Sequence, residues 1–233
     1  MWAIIESSWL ALLLTAVVAY LLGSINWAII ITRLFSKKDI RDEGSGNAGA
    51  TNVLRSEGPL PALLTTLGDL AKSMAAVLLG RYLVIHFHFA YAGEWPVTAA
   101  GLVGGYLAGL FCVMGHLFPV FYNFRGGKGV MASLGMLFVL DWRVAVLGLS
   151  MFLVTVLISR MVSLGSVIAA CYVPVLTLIF RGFVDNVSTS VVVACTVLSG
   201  IIAAMVIGKH GANMRRIAAG TERRLGDEQE EKA

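Results

Sequence analysis

The chain has 233 residues, of which 58% are hydrophobic and 14% charged, and its mean hydropathy is +0.81. A soluble domain carries roughly 25% charged residues, so this composition excludes an ordinary water-soluble fold and points to a bilayer. The formal net charge of +4 matters less than where the charges stand along the chain.

Residues 1–10 hold Glu6 and no Lys or Arg. A secretory signal opens with a basic segment, so 1–20 is expected to belong to a retained first helix. Seven apolar stretches follow one another: 8–31, 60–80, 97–118, 130–140, 144–158, 164–180 and 187–208. At about 20 residues per crossing they predict an all-α integral membrane domain of seven transmembrane helices. The domain fills 1–226, and the acidic tail 227–233 is expected to be disordered. Stretch 130–140 is short for a full span, so it tilts or stops at the interface. Asp141-Trp142-Arg143 predicts a tight reversal between the fourth and fifth stretches.

Lys and Arg divide unevenly between the two sets of connections. The segments 35–58, 122–129, 159–163 and the C-terminal tail, with the helix ends beside them, carry fourteen, whereas the other side has Arg81, Arg143 and Arg181. The positive-inside rule makes the fourteen-charge side cytoplasmic, and seven crossings then put the N-terminus outside and the C-terminus inside. Trp2, Trp9, Trp95 and Trp142 fall near the outer ends, as an interfacial aromatic belt would. The external connections, near 82–95, 141–143 and 181–186, hold little chemistry. Cys112, Cys171 and Cys195 have neither zinc nor redox spacing and are expected to be buried apolar residues.

Three polar segments gather on the basic side. Residues 39–55 read Asp-Ile-Arg-Asp-Glu-Gly-Ser-Gly-Asn-Ala-Gly-Ala-Thr-Asn-Val-Leu-Arg. Gly44, Gly46 and Gly49 let backbone amides converge on an anion, and Ser45, Asn47, Thr51 and Asn52 add donors. Arg41 and Arg55 offer guanidinium forks for phosphate, and a helix starting near Ala50 would aim its N-terminus at the same anion. Residues 115–129 end in Arg-Gly-Gly-Lys-Gly at the start of an apolar helix, so Gly126, Gly127, Lys128 and Gly129 combine open amides with an ammonium. The spacing is not that of a Walker A loop. His116 either orients this loop or pairs with a carboxylate. Residues 209–222 leave the last span, and a helix there would put His210 and Asn213 on one face. His210 is the side chain on this side suited to moving a proton near neutral pH. Within the second stretch, Asp69 and Lys72 stand three residues apart and are expected to pair or line the site, because isolated charges are costly at that depth. Ser163 and Ser166 are candidate hydroxyl donors to a phosphate.

Taken in order, these segments resemble the bacterial PlsY family, the acyl-phosphate:glycerol-3-phosphate acyltransferases. The residues that carry the resemblance are Gly23-Ser24, Asp39-Ile-Arg41, Gly44-Ser-Gly-Asn-Ala-Gly-Ala-Thr-Asn52 with Arg55, and Asp69 with Lys72. They continue with Gly115-His-Leu-Phe-Pro-Val-Phe121, Gly126-Gly-Lys-Gly-Val130, Ser163-Leu-Gly-Ser166, His210 with Asn213, and Gly220-Thr-Glu222. Asn26 stands where the family usually has proline, and Arg125, Met131, Ser133, Gly211 and Met214 are further departures. The resemblance implies a seven-span acyltransferase of the bacterial inner membrane whose three cytoplasmic motifs form one site. It implies acyl transfer from acyl phosphate to the sn-1 hydroxyl of glycerol 3-phosphate, giving lysophosphatidate and inorganic phosphate. Acyl-CoA and acyl carrier protein are not the family's donors, and a functional link to an enzyme that makes acyl phosphate follows.

On this reading Ser45, Arg55, Lys128, His210 and Asn213 are the catalytic candidates, and Asp69, Lys72, His116 and Glu222 support them. Either His210 or the donor's own phosphate accepts the hydroxyl proton. No cofactor, metal or nucleic-acid partner is expected. A transporter for a phosphorylated solute would suit the buried Asp69 and Lys72, but the remaining polar residues crowd one side and no inverted repeat is visible.

Overall fold

The computed structural model describes residues 2–91 and 97–227, and all ten of their α-helices pack without a strand among the described residues. Six stretches are long and apolar enough to cross a bilayer: Trp9–Ser36, Pro59–Phe87, Thr98–Tyr122, Trp142–Ser159, Val162–Val184 and Thr189–Lys209. Val130–Leu140, the expected fourth span, is an 11-residue helix. At about 1.5 Å per residue it reaches roughly 16 Å, well short of a ~30 Å hydrocarbon core. The seven expected stretches are therefore six long ones and, as the shortness of 130–140 led one to expect, one short apolar helix among the described residues.

The first stretch is broken. Helix α1 (Trp2–Ser24) stops before Ile25, and α2 (Trp27–Ser36) starts anew with Asn26 as its cap, whose side chain accepts from the Ile29 N–H at 3.1 Å. The Ile25 carbonyl freed by the break accepts from Lys72 Nζ at 2.7 Å, so a side chain from another helix restores the lost bond. Helix α3 (Ala50–Glu57) is short, and α4 (Pro59–Tyr91) runs one continuous course past the expected end at residue 80. The connection expected at 82–95 is thus helical as far as Tyr91. Helix α5 (Val97–Leu117) lies close against α1 because glycines face backbone. A Cβ at Gly23 would strike the Cys112 carbonyl, and one at Gly115 would strike that of Tyr20.

Helices α6 (Val130–Leu140) and α7 (Trp142–Ser159) meet at Asp141, the expected reversal compressed to one residue. Asp141 caps α7 by accepting from the Arg143 N–H at 3.1 Å. Helix α8 (Val162–Ile179) is prolonged by a π-helical turn, Phe180–Val184, and is followed by α9 (Thr189–Lys209) and α10 (Gly211–Ala218). The core is built from α4, α5, α6, α7, α8 and α9 around Tyr106, Val113, Met136, Val144 and Val191. Leucine, isoleucine and valine cover the outward faces, with Leu157 and Ile158 about 80% exposed, as lipid-facing helices require. Cys112 and Cys195 are buried as expected, but Cys171 is exposed on α8. Trp9 and Trp142 are exposed. Trp95 and the acidic tail, apart from Asp227, lie outside the described residues.

Side-chain bridges identify two ends of the bundle. At one, Arg181 donates to the Leu140 carbonyl at 2.5 Å and Arg143 pairs with Asp185 at 2.8 Å. At the other, segments 39–55, 119–129, 160–166 and 209–227 touch one another.

Candidate active site

The loop before α3 is organised by its own polar side chains. Gly44 and Gly46 take φ +56° and +69°, which side chains other than glycine rarely adopt, and so double the chain back. Asn52 is buried in the fold-back, where its Oδ1 accepts from the Ser45 N–H at 2.9 Å. Its Nδ2 donates to the carbonyls of Ile40 at 3.1 Å and Glu43 at 2.9 Å. These bonds shape the loop. Arg41 is likewise engaged. Its guanidinium is held by Asp39 at 2.8 Å and donates to the Tyr122 carbonyl at 2.9 Å, so it ties the first segment to the second. The same pairing holds the Asp39 carboxyl well below the usual carboxylate range.

Gly49 caps α3 and Ala50 begins it, as the sequence predicts; Thr51 and Asn47 are half-buried, and the Ser45 residue is exposed. Arg55 lies at the far end of α3, half-buried. Its pKa is depressed by that burial and by the nearby charge of Arg223, while Glu222 acts in the opposite sense. Helix α3 thus carries the first segment's arginine toward the third segment.

The second segment is packed tightly onto the first. The Gly127 N–H donates to the His116 carbonyl at 3.1 Å, and a Cβ at Gly127 would collide with the His116 ring and the Ala48 carbonyl. A Cβ at Gly126 would strike the His116 carbonyl, and Gly129, at φ +83°, turns the chain into α6. Beneath this loop lies a buried cluster. Lys72 Nζ is 2.8 Å from Asp69 and 2.9 Å from His116 Nδ1, and His116 Nδ1 is 3.5 Å from Asp69. The expected Asp69–Lys72 pair exists, and His116 joins it. Lys72 reaches the break between α1 and α2, and His116 reaches the glycine loop, so the cluster fixes the loop's floor from below.

Lys128 projects from that loop into the third segment. Its Nζ donates to Asn213 Oδ1 at 2.5 Å, Asn213 Nδ2 donates to Glu222 Oε1 at 2.6 Å, and Ser163 Oγ donates to the same oxygen at 2.6 Å. Arg216 Nε closes the set on Glu222 Oε2 at 2.7 Å. These donors hold Glu222 ionised, below its ordinary pKa, despite its burial. Burial pushes the Lys128 ammonium down to about 8, with the charges of Arg216 and Arg55 adding to it and Glu222 opposing. The Leu225 N–H donates to the Arg160 carbonyl at 2.7 Å and pins the residues after Glu222.

His210 immediately precedes α10 and Asn213 stands in its first turn. His210 is the junction between α9 and α10, and its ring turns back so that Nδ1 lies 2.8 Å from the Val206 carbonyl. A carbonyl only accepts, so Nδ1 carries the proton and Nε2 is the bare nitrogen. Burial lowers the His210 pKa, and the ring is neutral at pH 7. Ser166 lies one turn along α8 from Ser163. It is buried, its hydroxyl donates to Val162 at 2.9 Å, and it faces an apolar cavity instead of the anion seat.

That cavity is small and partly open, and lies between α6, α7, α8 and α9, lined by Val130, Leu137, Gly148, Val173, Val206 and neighbours. It borders the polar cluster. Val130 follows Gly129, Ser166 is one turn from Ser163, and Val206 holds His210. Asp39, Arg216 and Arg223 were not among the expected site residues. Arg216 sits in the last turn of a short basic helix six residues before Glu222, which was the available signal.

A helical membrane bundle with glycine-rich loops and a cluster of cations at one end, beside an apolar cavity, defines the class: an integral membrane protein. The family model for glycerol-3-phosphate acyltransferase matches residues 13–220. Glycerol-3-phosphate acyltransferases of Thermoanaerobacter pseudethanolicus and of a Jannaschia species are 37% and 39% identical. The matches cover 93% and 96% of this chain and 97% of each relative. The crystal structure of PlsY (YgiH), an integral membrane glycerol 3-phosphate acyltransferase, in its glycerol 3-phosphate form superposes with a TM-score of 0.76 at 31% identity. It covers 92% of this chain and 96% of that one. The lysophosphatidic acid form gives 0.74, again at 31% identity, over 92% of this chain and 95% of that one. The chain belongs to the PlsY family of integral membrane glycerol-3-phosphate acyltransferases.

Proposed function

We propose that this acyltransferase takes its acyl group from acyl phosphate and delivers it to the sn-1 hydroxyl of glycerol 3-phosphate, at the cytoplasmic face of a bacterial inner membrane. The observation that carries this reading is the chain of hydrogen bonds Lys128–Asn213–Glu222–Ser163, which joins two distant loops and α8 over an apolar cavity. Two phosphates and one long hydrocarbon chain need this combination of cations above and apolar space below. The solved relatives, crystallised with glycerol 3-phosphate and lysophosphatidic acid, bind one reactant and the corresponding product. The fourteen Lys and Arg on the site side favour a cytoplasmic site with the N-terminus outside. With α6 as a short seventh crossing, the C-terminus lies inside.

Lys128 and Arg55 bind phosphate, helped by the amides of Gly44, Gly126 and Gly129, while those of Gly46, Gly49 and Gly127 are bonded within the loops and shape them. Ser45, Thr51 and Asn213 stabilise the oxyanion, and aimed donors of this kind supply a large part of acyl-transfer catalysis. The hydroxyl oxygen attacks the carbonyl carbon, the carbonyl–phosphate C–O bond breaks, and its electron pair leaves with phosphate. The hydroxyl proton passes to His210 Nε2 or to a phosphate oxygen of the donor. No covalent acyl-enzyme is formed. An enzyme that makes acyl phosphate must supply the donor.

The test mixes purified protein with palmitoyl phosphate and glycerol 3-phosphate and identifies products by mass spectrometry. Lysophosphatidate acylated at sn-1 is expected, with sharp losses in Ser45→Ala, Lys128→Ala and Asn213→Ala. Full activity in all three variants, or product from palmitoyl-CoA alone, overturns the reading. His210→Ala separates the proton acceptors. Loss of the acidic limb of the pH–rate profile assigns the proton to His210, and an unchanged profile assigns it to the donor phosphate.

A further inference from the structure

Two histidines stand near the site, and their surroundings call for opposite protons. His210 carries its proton on Nδ1, against the Val206 carbonyl. His116, 3% exposed in the last turn of α5, meets a cation on that same nitrogen. Lys72 Nζ has three close neighbours: the Ile25 carbonyl at 2.7 Å, Asp69 Oδ1 at 2.8 Å and His116 Nδ1 at 2.9 Å. An ammonium has one N–H for each and no lone pair, so Nδ1 accepts. A neutral amine could instead accept from Nδ1, but beside an ionised Asp69 it would bury an unbalanced negative charge. The His116 ring is then neutral, with its proton on Nε2.

The other edge of the ring agrees. A Cβ added to Gly127 would collide with both His116 Nε2 and the Ala48 carbonyl oxygen, so these two atoms border the same small space. Ala48 is fully buried in the first segment. A bare Nε2 would set its lone pair against that oxygen, whereas an N–H presents a donor to it. The His116 backbone holds Gly127 as well, accepting from its N–H at 3.1 Å. His116 thus meets the residue before Lys128 with its carbonyl and with its ring, and faces the first segment across it.

Building on the reading of Lys128 as the phosphate-binding cation, we infer that Asp69 and Lys72 fix His116 as the Nε2–H tautomer, and that this N–H, turned to the Ala48 carbonyl, holds the first and second glycine loops against each other. His116 is a positioning residue. It acts through the backbone that carries Lys128. Glycine at 127 is part of the device, because a side chain there would part the ring from Ala48.

The proton is located by nitrogen NMR of wild-type protein isotopically labelled in its histidine rings, in detergent and without substrate. His116 is assigned by the signals that His116→Gln lacks. A pyrrole-type Nε2 and a pyridine-type Nδ1 are expected for His116, and the reverse for His210. A proton on Nδ1 of His116, or on both its nitrogens, overturns the inference. This readout is the same whichever donor the enzyme uses, whereas a wild type inert toward acyl phosphate would sink the donor reading alone.

Kinetics with palmitoyl phosphate separate the two edges of the ring. Glutamine places an amide N–H where Nε2 stands, and asparagine places an acceptor where Nδ1 stands. His116→Asn is expected to lose about tenfold in kcat/KM, the weight of one hydrogen bond, and His116→Gln to stay within about threefold of wild type. Equal losses in the two folded variants, or a larger loss in His116→Gln, overturn the role given to the Nε2–H.

Discussion

Replacing Glu222 by alanine removes three hydrogen bonds at once and leaves Lys128 with an unsupported partner. Ser163 and Asn213 are neutral donors to a carboxylate whose side chain is 6% exposed, and each such bond contributes about 1.5–3 kcal/mol. The Arg216 bond is discounted to about 0–1 kcal/mol, because that guanidinium is 45% exposed and screened by solvent. Water entering the vacated space regains part of the total. The net loss of support for the Lys128–Asn213 geometry is therefore about 2–3 kcal/mol. If Lys128 acts on the transferring phosphate, kcat/KM falls about thirty- to hundredfold, at roughly tenfold per 1.4 kcal/mol. The assay is phosphate release from acyl phosphate by purified protein, with thermal unfolding in detergent as the folding control. Arg216→Ala, which removes only the exposed arm, is expected to cost less than about fivefold. Activity within twofold of wild type for Glu222→Ala, or equal losses in the two variants, would refute Glu222 as the group that positions Lys128.

Burial holds the Lys128 ammonium near 8, so its charged form is complete well below that pH and is lost as pH rises through it. The kcat/KM profile of the free enzyme should fall above about pH 8, and Lys128→Arg should retain whatever activity it has to higher pH. A flat profile to pH 9.5 would exclude Lys128 as the phosphate cation. Beneath the glycine loop, Asp69→Asn leaves the Lys72 ammonium buried without its counter-ion and should cost about 3–5 kcal/mol. The double change Asp69→Leu with Lys72→Met should recover part of that loss when unfolding is followed in detergent, and no recovery would show that the bond to Ile25 matters more than the charge pair.

Some of this architecture is written locally. Long apolar runs must become helices in a bilayer, since no water satisfies their backbone groups, and the runs read from the sequence do so. Asp69 and Lys72 are three residues apart, so their meeting follows from helical spacing alone. Gly129 before an apolar run likewise sets the start of α6. Length is less legible. Helix α4 continues to Tyr91 through polar and aromatic residues, where both hydropathy and intrinsic helix propensity fall, so its length is not read from the sequence. The break at Ile25–Asn26 gave no clear sequence signal, because its freed carbonyl is satisfied by Lys72, 47 residues away.

The site divides along the same line. Residue types determined that amides, hydroxyls and cations would gather at one end of the bundle, because glycine and the charge distribution are read locally. Which partners those side chains take was decided by packing. Asn52 and Arg41 bond to neighbouring carbonyls and to Asp39. Ser166 bonds within its own helix and turns to the cavity, while Glu222, outside any helix, becomes the acceptor for donors 59 and 9 residues away. A hydrogen bond is formed with whatever partner the fold brings near, and that proximity is a property of the tertiary structure alone.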